Sequence, residues 1–172
     1  MISPGTMVWM PEIHKKSAQR SGSMADSYVE LDDIPVMRVR ADFKGKGPHA
    51  AFAALESKLP TLKGRKFYGV FRETSKGEEY YACVARIDSD NPDKMQLDTG
   101  TIPGGKYVRR RVQGWKKAVT EGQLPKLFAD LAQTHGQYVG PEVFSVEFYR
   151  SQTELDLLIP VKASSPNAAS GR

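Results

Sequence analysis

The chain has 172 residues, of which 40% are hydrophobic and 26% charged, and its formal net charge at pH 7 is +5. This balance is typical of a globular protein that buries a core as one domain or as two packed halves. No apolar run approaches the roughly 18 residues that span a bilayer, and residues 1–27 contain no apolar segment typical of a secretory signal. The single cysteine, Cys83, excludes an internal disulfide, so we expect a cytoplasmic location.

Both ends of the chain have low apolar content. Residues 1–27 are rich in Ser, Lys, Gln, Gly and Pro and show no sustained period, and residues 163–172 are similarly polar. Such segments cannot bury enough apolar surface to order themselves. We therefore predict a flexible lead, an ordered domain over residues 28–162 and a disordered tail.

A first strand–helix–strand–strand unit is predicted over about residues 28–87. It opens with the strand IPVMRVRADFKG, residues 34–45. The helix GPHAAFAALESKLP follows, with Phe52, Leu55 and Leu59 at helical spacing. The hairpin FYGVFRETSKGEEYYACVARI closes the unit, with TSKG as its turn.

A second unit is predicted over about residues 95–162. It opens with the strand IPGGKYVRRRVQG, residues 102–114. The helix LPKLFADLAQTHG follows, with Pro125 near its start and Gly136 as its expected cap. The hairpin SVEFYRSQTELDLLIPV, residues 145–161, ends the unit with SQT as its turn.

The two units form an internal repeat. Both open with Ile-Pro, and the helical segments AFAAL and LFADL align without a gap. Aligning the hairpins places Gly69 opposite Glu147. The acidic connector between the units, residues 88–94, is predicted to be a solvated loop. The order predicts an α+β fold of antiparallel sheets with pseudo-twofold symmetry, helices on one face and a ligand cleft between the halves.

Glu147 stands in the middle of an apolar strand. Because side chains alternate along a strand, Ser145, Glu147 and Tyr149 share one face, and Val146 and Phe148 share the other. The face with Glu147 is either solvated or lines a cavity. In a cavity the carboxylate would be a binding or catalytic group, because burial perturbs its ionisation.

A basic run extends from Lys106 to Lys117 and includes Arg109, Arg110 and Arg111. It indicates either a nucleic-acid surface or a solvated strand end. No recognition helix follows it, which favours the second interpretation.

The residues give little indication of a metal site or of a reactive cysteine. His14, His49 and His135 are far apart and lack metal-ligand spacing with Cys83, so no metal and no cofactor are predicted. The Cys83 segment YYACVARI reads as a buried strand.

Several segments together resemble the GyrI-like family, which shares its fold with the effector-binding domains of AraC-type and BmrR-type transcription regulators. They are KLPTLKGRKFYGVFRE, YYACVARI, TGTIPGGKYVRRRVQGW and VEFYRSQTELDLLIPV. The resemblance covers roughly residues 28–162. It implies a duplicated strand–helix–strand–strand fold with a ligand pocket between its halves.

The resemblance also implies a site. A glutamate on the first hairpin strand of the second unit lies in the family's pocket, and Glu147 matches that position. Aromatic side chains line the pocket in the family, and the candidates here are Tyr68, Phe71, Tyr107, Trp115 and Tyr149. About 27 residues precede the domain, too few for a helix-turn-helix, so we expect a stand-alone domain without direct DNA binding.

Three functions remain open. The first is binding of aromatic or cationic small molecules anchored by Glu147. The second is hydrolysis of cyclopropane-bearing DNA-alkylating natural products, with Glu147 activating water and Tyr107 donating to the developing phenolate. The third is inhibition of DNA gyrase, for which Arg109–Arg111 provide the basic surface. The sequence indicates no membrane partner and leaves the oligomeric state open.

Overall fold

An eight-stranded antiparallel sheet forms the centre of the computed structural model, which describes residues 25–135 and 143–161. The elements in chain order are β1 Ser27–Leu31, β2 Ile34–Arg40, α1 Gly47–Ser57, β3 Phe67–Thr74, β4 Gly77–Ala85, α2 Pro92–Met95, β5 Asp98–Ile102, β6 Gly105–Gln113, α3 Trp115–Thr120, α4 Leu124–His135, β7 Val143–Tyr149 and β8 Glu154–Pro160. The strands lie side by side in the order β1-β6-β8-β7-β3-β4-β2-β5.

The duplicated α+β fold predicted from the sequence is confirmed. The elements β2-α1-β3-β4 repeat as β6-α4-β7-β8, with the short helix α3 added in the second unit. The units meet where β3 pairs with β7, and Gly69 lies directly opposite Glu147 in that ladder. The pseudo-twofold axis of the sheet therefore passes beside Glu147.

The edge strands β1 and β5 were not anticipated. The strand β1 precedes β2 in the first unit but pairs with β6 of the second, and β5 precedes β6 in the second unit but pairs with β2 of the first. Each unit thus completes its edge with a strand from the other, which ties the halves together.

Two residues that precede the predicted boundary at residue 28 contribute to the described fold. Asp26 forms an ion pair with Arg110 (2.7 Å) and a hydrogen bond with His135 (2.9 Å), and Ser27 begins β1. The rest of the predicted lead, the predicted tail and the expected cap Gly136 lie outside the described residues.

The two faces of the sheet pack differently. Helix α1 packs Phe52 and Leu55 on one face of the first unit, and α4 packs Phe128 and Leu131 on the same face of the second. On the opposite face a single cluster contains Val36, Tyr68, Val70, Cys83, Ile102, Tyr107, Val146 and Leu158. This cluster joins β5 at one end of the sheet to β6 near the other, which requires the sheet to curl. Burial of each large apolar side chain contributes about 1.5–3 kcal/mol.

The acidic connector is not simply solvated, so the prediction is wrong at Asp90. The Arg65 guanidinium donates two hydrogen bonds to the Asp90 carboxylate, at 2.9 and 2.7 Å, and both side chains are 2% exposed. The Ile87 N–H also donates to this carboxylate. These contacts hold the pKa of Asp90 below its usual value, chiefly through the Arg65 hydrogen bonds.

Candidate functional site

Glu147 lies on the helix-covered face of the sheet, near its centre. The predicted alternation is confirmed, because Val146 and Phe148 belong to the cluster on the opposite face, whereas Tyr149 packs with the two helix-covered clusters. Glu147 pairs across the sheet with Gly69 on one side and Leu157 on the other. The carboxylate therefore points toward the layer of helices rather than into bulk solvent.

Two tyrosine hydroxyls hold one oxygen of this carboxylate. Tyr80 and Tyr149 both donate to Glu147 Oε2, at 2.7 and 2.6 Å. Gly69 makes room for this arrangement, because a Cβ atom at Gly69 would overlap both the Tyr80 hydroxyl and Glu147 Oε2. The absence of a side chain at Gly69 is thus a requirement of the site.

The ionisation of these groups is shifted by burial. Desolvation raises the pKa of Glu147 above its ordinary value of 4.5, and the two tyrosine hydrogen bonds partly oppose that rise. Burial and the Glu147 charge raise the pKa values of Tyr80 and Tyr149 well above 10. Both tyrosines therefore remain neutral donors at neutral pH.

A cleft of about 310 Å³ opens beside the carboxylate. It lies between the first turn of α4 and the sheet, and its lining consists of Phe71, Glu78, Tyr80, Leu124, Pro125, Phe128, Ser145 and Glu147. The volume falls at the lower end of the range for small-molecule sites, and the mixture of apolar walls with few polar groups is typical of them.

The second carboxylate oxygen of Glu147, Oε1, accepts from neither tyrosine. Oε1 of Glu147 has no hydrogen-bond partner among the described residues. Within that part of the chain, Arg65 Nε is the one buried side-chain nitrogen or oxygen without a partner. Oε1 is therefore not among the fully buried atoms that lack a partner, and Glu147 itself lines the cleft.

Two aromatic rings pack against Tyr149, which holds Glu147. The Tyr149 ring makes edge contacts with Phe52 and with Trp115, at centroid distances of 5.3 and 5.0 Å. Trp115 is 2% exposed, and its indole N–H donates to the Ser151 carbonyl. Trp115 thus positions Tyr149 and does not line the cleft.

The structure does not bring Tyr68 and Tyr107 to Glu147, which corrects the expectation for both. They lie in the cluster on the opposite face, where Tyr68 stacks on Phe148 with centroids 4.8 Å apart. The Tyr107 hydroxyl donates to the Pro103 carbonyl at 2.6 Å, and burial raises its pKa to about 12. The physical reason is strand parity, since one step along a strand reverses the face.

Of the aromatic candidates, Phe71 lines the cleft and Tyr149 contacts Glu147. Tyr80 was missed, although the hairpin contains the signal for it. With the turn at TSKG, Phe71 pairs with Tyr80, and this register places Tyr80 on the face of Gly69 and Glu147. The contribution of α4 to the cleft through Leu124 and Pro125 has no comparable local signal.

The basic run is largely engaged in ion pairs. Arg110 contacts Asp26 and Asp130 on the helix side of the sheet. On the other side, Arg111 and Arg109 approach Asp156, which is 2% exposed, at 2.8 and 4.0 Å. Arg150 approaches the same carboxylate at 3.4 Å. These guanidinium groups therefore have intramolecular partners.

Residues 25–135 and 143–161 contain neither a cluster of metal-ligand side chains nor a membrane-spanning helix. No group of three or more His, Cys, Asp or Glu side chains there could hold a metal ion, and no helix there is long and apolar enough to cross a membrane. Cys83 is 1% exposed, as predicted for a buried strand residue, and burial raises its pKa to about 12.

The fold and cleft define a duplicated domain with an acidic group near its symmetry axis. No protein-family model matches the chain, and no curated protein does. Solved structures do share the fold, although at identities too low to carry function.

One such structure is the integron cassette protein VCH_CASS2 from Vibrio cholerae, at 17% identity and a TM-score of 0.56, covering 81% of this chain and 97% of that one. Another is SAV2435 bound to tetraphenylphosphonium, at 17% identity and a TM-score of 0.55, with coverage of 81% and 95%. A third is a Staphylococcus aureus MU50 protein assigned to transcription regulation, at 16% identity and a TM-score of 0.53, with coverage of 81% and 99%.

Proposed function

We propose that the chain is a GyrI-like domain that binds small lipophilic organic cations in the cleft, with Glu147 as their anchor. One observation carries the proposal. The Glu147 carboxylate lies at a mostly apolar cleft, held by two neutral hydroxyls, and no Lys, Arg or His of the described residues forms an ion pair with it. A desolvated carboxylate is costly without a cation, and a bound ligand would supply one.

The shape and chemistry of the walls support an aromatic cation. Phe71, Tyr80 and Phe128 line the cleft, and aromatic rings attract cations by about 0.5–2 kcal/mol. The tetraphenylphosphonium bound by SAV2435, a protein of similar fold, is a ligand of this class. It is therefore a suitable first probe.

Binding is favoured over hydrolysis. Hydrolysis would need a proton donor near the cyclopropane ring of the substrate, which is attacked by a water molecule that Glu147 activates. Tyr107, the residue assigned to that role, donates to Pro103 on the other face of the sheet, and the two tyrosine hydroxyls at the site donate to Glu147 itself. The gyrase proposal loses its motivation as well, because Arg110 and Arg111 are engaged in ion pairs within the chain.

Calorimetric titration with tetraphenylphosphonium tests the proposal. Glu147→Gln keeps an acceptor for both tyrosine hydroxyls but removes the charge, and we expect it to weaken binding at least tenfold, roughly 1.4 kcal/mol or more. Glu30→Gln, at an exposed position on β1, makes the same change in net charge and is the matched control. It should leave the affinity within about twofold of wild type.

Equal affinity of wild type and Glu147→Gln would overturn the proposal, as would the absence of any binding. Incubating the same preparations of wild type and Glu147→Gln with a cyclopropane-dienone compound, followed by product analysis, tests for hydrolysis. Ring-opened product formed by wild type and not by Glu147→Gln would replace binding with hydrolysis as the function.

A further inference from the structure

A second groove lies next to the cleft, at the turn that follows β2. Its volume is about 440 Å³, and it is lined by Arg40, Ala41, Asp42, Phe43, Lys44 and Glu78. Glu78 also lines the cleft that contains Glu147. The two depressions therefore adjoin at the Glu78 side chain, which is exposed to solvent.

The turn is fixed relative to the cleft by hydrogen bonds. The Ala41 N–H donates to the Tyr80 carbonyl at 2.8 Å, so the turn is attached to the residue that holds Glu147. Within the turn, the Asp42 carbonyl accepts from Gly45 and Gly47, and its carboxylate accepts from the Lys44 N–H. The groove is thus built on the same support as the cleft.

Phe43 is presented on this turn with 49% of its surface exposed. The other large hydrophobic residues of the described chain that are similarly exposed, Tyr28, Ile87 and Val119, line neither depression. An exposed phenylalanine beside a ligand cleft offers apolar surface that a bound molecule can cover.

The charges of the groove lining cancel. Arg40 and Lys44 contribute two positive charges, and Asp42 and Glu78 contribute two negative ones. Arg40 is also paired with Glu79 at 3.1 Å. The groove therefore favours an uncharged segment of a ligand, which would pack on Phe43 and on the aliphatic part of the Lys44 side chain.

We propose that cleft and groove form one two-part site for an elongated amphipathic cation. The charged aromatic head lies on Glu147, and an apolar tail passes over Glu78 onto Phe43. This inference rests on the proposed function and extends it by naming the shape of the ligand. The two-part site predicts that Phe43 makes the affinity depend on the length of the ligand's tail. It also predicts that Glu147 makes the affinity depend on the ligand's charge.

The test compares methyltriphenylphosphonium with hexyltriphenylphosphonium, which share a head and differ in tail. Wild type should bind the hexyl compound about tenfold more tightly, a modest gain for five added methylene groups. Phe43→Ala should lose most of that gain while binding the methyl compound as wild type does. Phe43→Leu keeps apolar surface and should retain most of the gain, and Ile87→Ala, which removes an equally exposed apolar side chain elsewhere, should retain all of it.

The outcomes separate the two proposals. If Glu147→Gln weakens both compounds but Phe43→Ala keeps the full gain from the tail, the second subsite is overturned and the proposed function stands. If wild type binds neither compound, or Glu147→Gln binds both as tightly as wild type, the proposed function fails and the two-part site fails with it.

Discussion

Two carboxylates on the β7–β8 hairpin occupy opposite faces of the sheet and have opposite surroundings. Asp156 is met by Arg109, Arg111 and Arg150, so its charge is more than balanced. Glu147 is met by two neutral hydroxyls and no cation from the described residues. The comparison indicates that the protein neutralises a carboxylate where it serves the fold, and leaves one without a cation where the structure opens a cleft.

The largest effect is expected from Asp156→Asn. Removing the charge leaves three guanidinium groups around a buried neutral side chain, which should lower the free energy of unfolding by about 3 kcal/mol. Asp130→Asn is the matched control, because Asp130 also pairs with an arginine but is 65% exposed, and it should cost less than about 1 kcal/mol. Urea denaturation measures both, and equal losses would show that Asp156 has no special structural role.

A smaller loss is expected from Gly69→Ala, on the Glu147 side of the comparison. The added methyl group would displace the Tyr80 hydroxyl and the Glu147 carboxylate, at a cost of about 1–3 kcal/mol. It should also abolish binding of tetraphenylphosphonium, measured by calorimetry. Gly100→Ala, on the edge strand β5, is the control, because the added methyl group would meet only the flexible end of the Arg38 side chain. Retained binding in Gly69→Ala would argue against the Tyr80–Glu147 arrangement.

The smallest effect concerns pH. Because folding raises the pKa of Glu147 above 4.5, the folded state holds its proton more tightly, and stability falls as pH rises from 4.5 through the raised value. Glu147→Gln removes this dependence. At pH 7 the variant should therefore be slightly more stable than wild type, and the difference should disappear below pH 4.5. Thermal melts across that range measure it, and a variant less stable than wild type at pH 7 would contradict the prediction.

What the sequence could predict follows from local periodicity. Alternation along one strand placed Ser145, Glu147 and Tyr149 on a common face, and the internal repeat made Gly69 the position equivalent to Glu147. Both inferences need only one strand or one internal alignment. The helices α1 and α4 were likewise evident from the spacing of their apolar residues.

What the sequence could not predict depends on pairing between distant segments. Tyr107 lies on the far face because of the register between β6 and β8, which no local pattern reveals. The short strand β5 is recognisable only from its partner β2. Asp90 looks like one more acid of a polar loop until the fold brings Arg65 to it.

The junction of the two units also affects how the chain can fold. The central ladder joins Gly69 to Glu147, residues separated by most of the domain in sequence, and such non-local topology is associated with folding in milliseconds to seconds. During synthesis β3 keeps an unpaired edge until Val143–Tyr149 has emerged from the ribosome. That edge exposes the backbone of Phe67–Thr74, an aromatic-rich strand, and open edges of this kind pair readily with other chains. We therefore expect aggregation chiefly from the partly synthesised chain, before β7 has emerged.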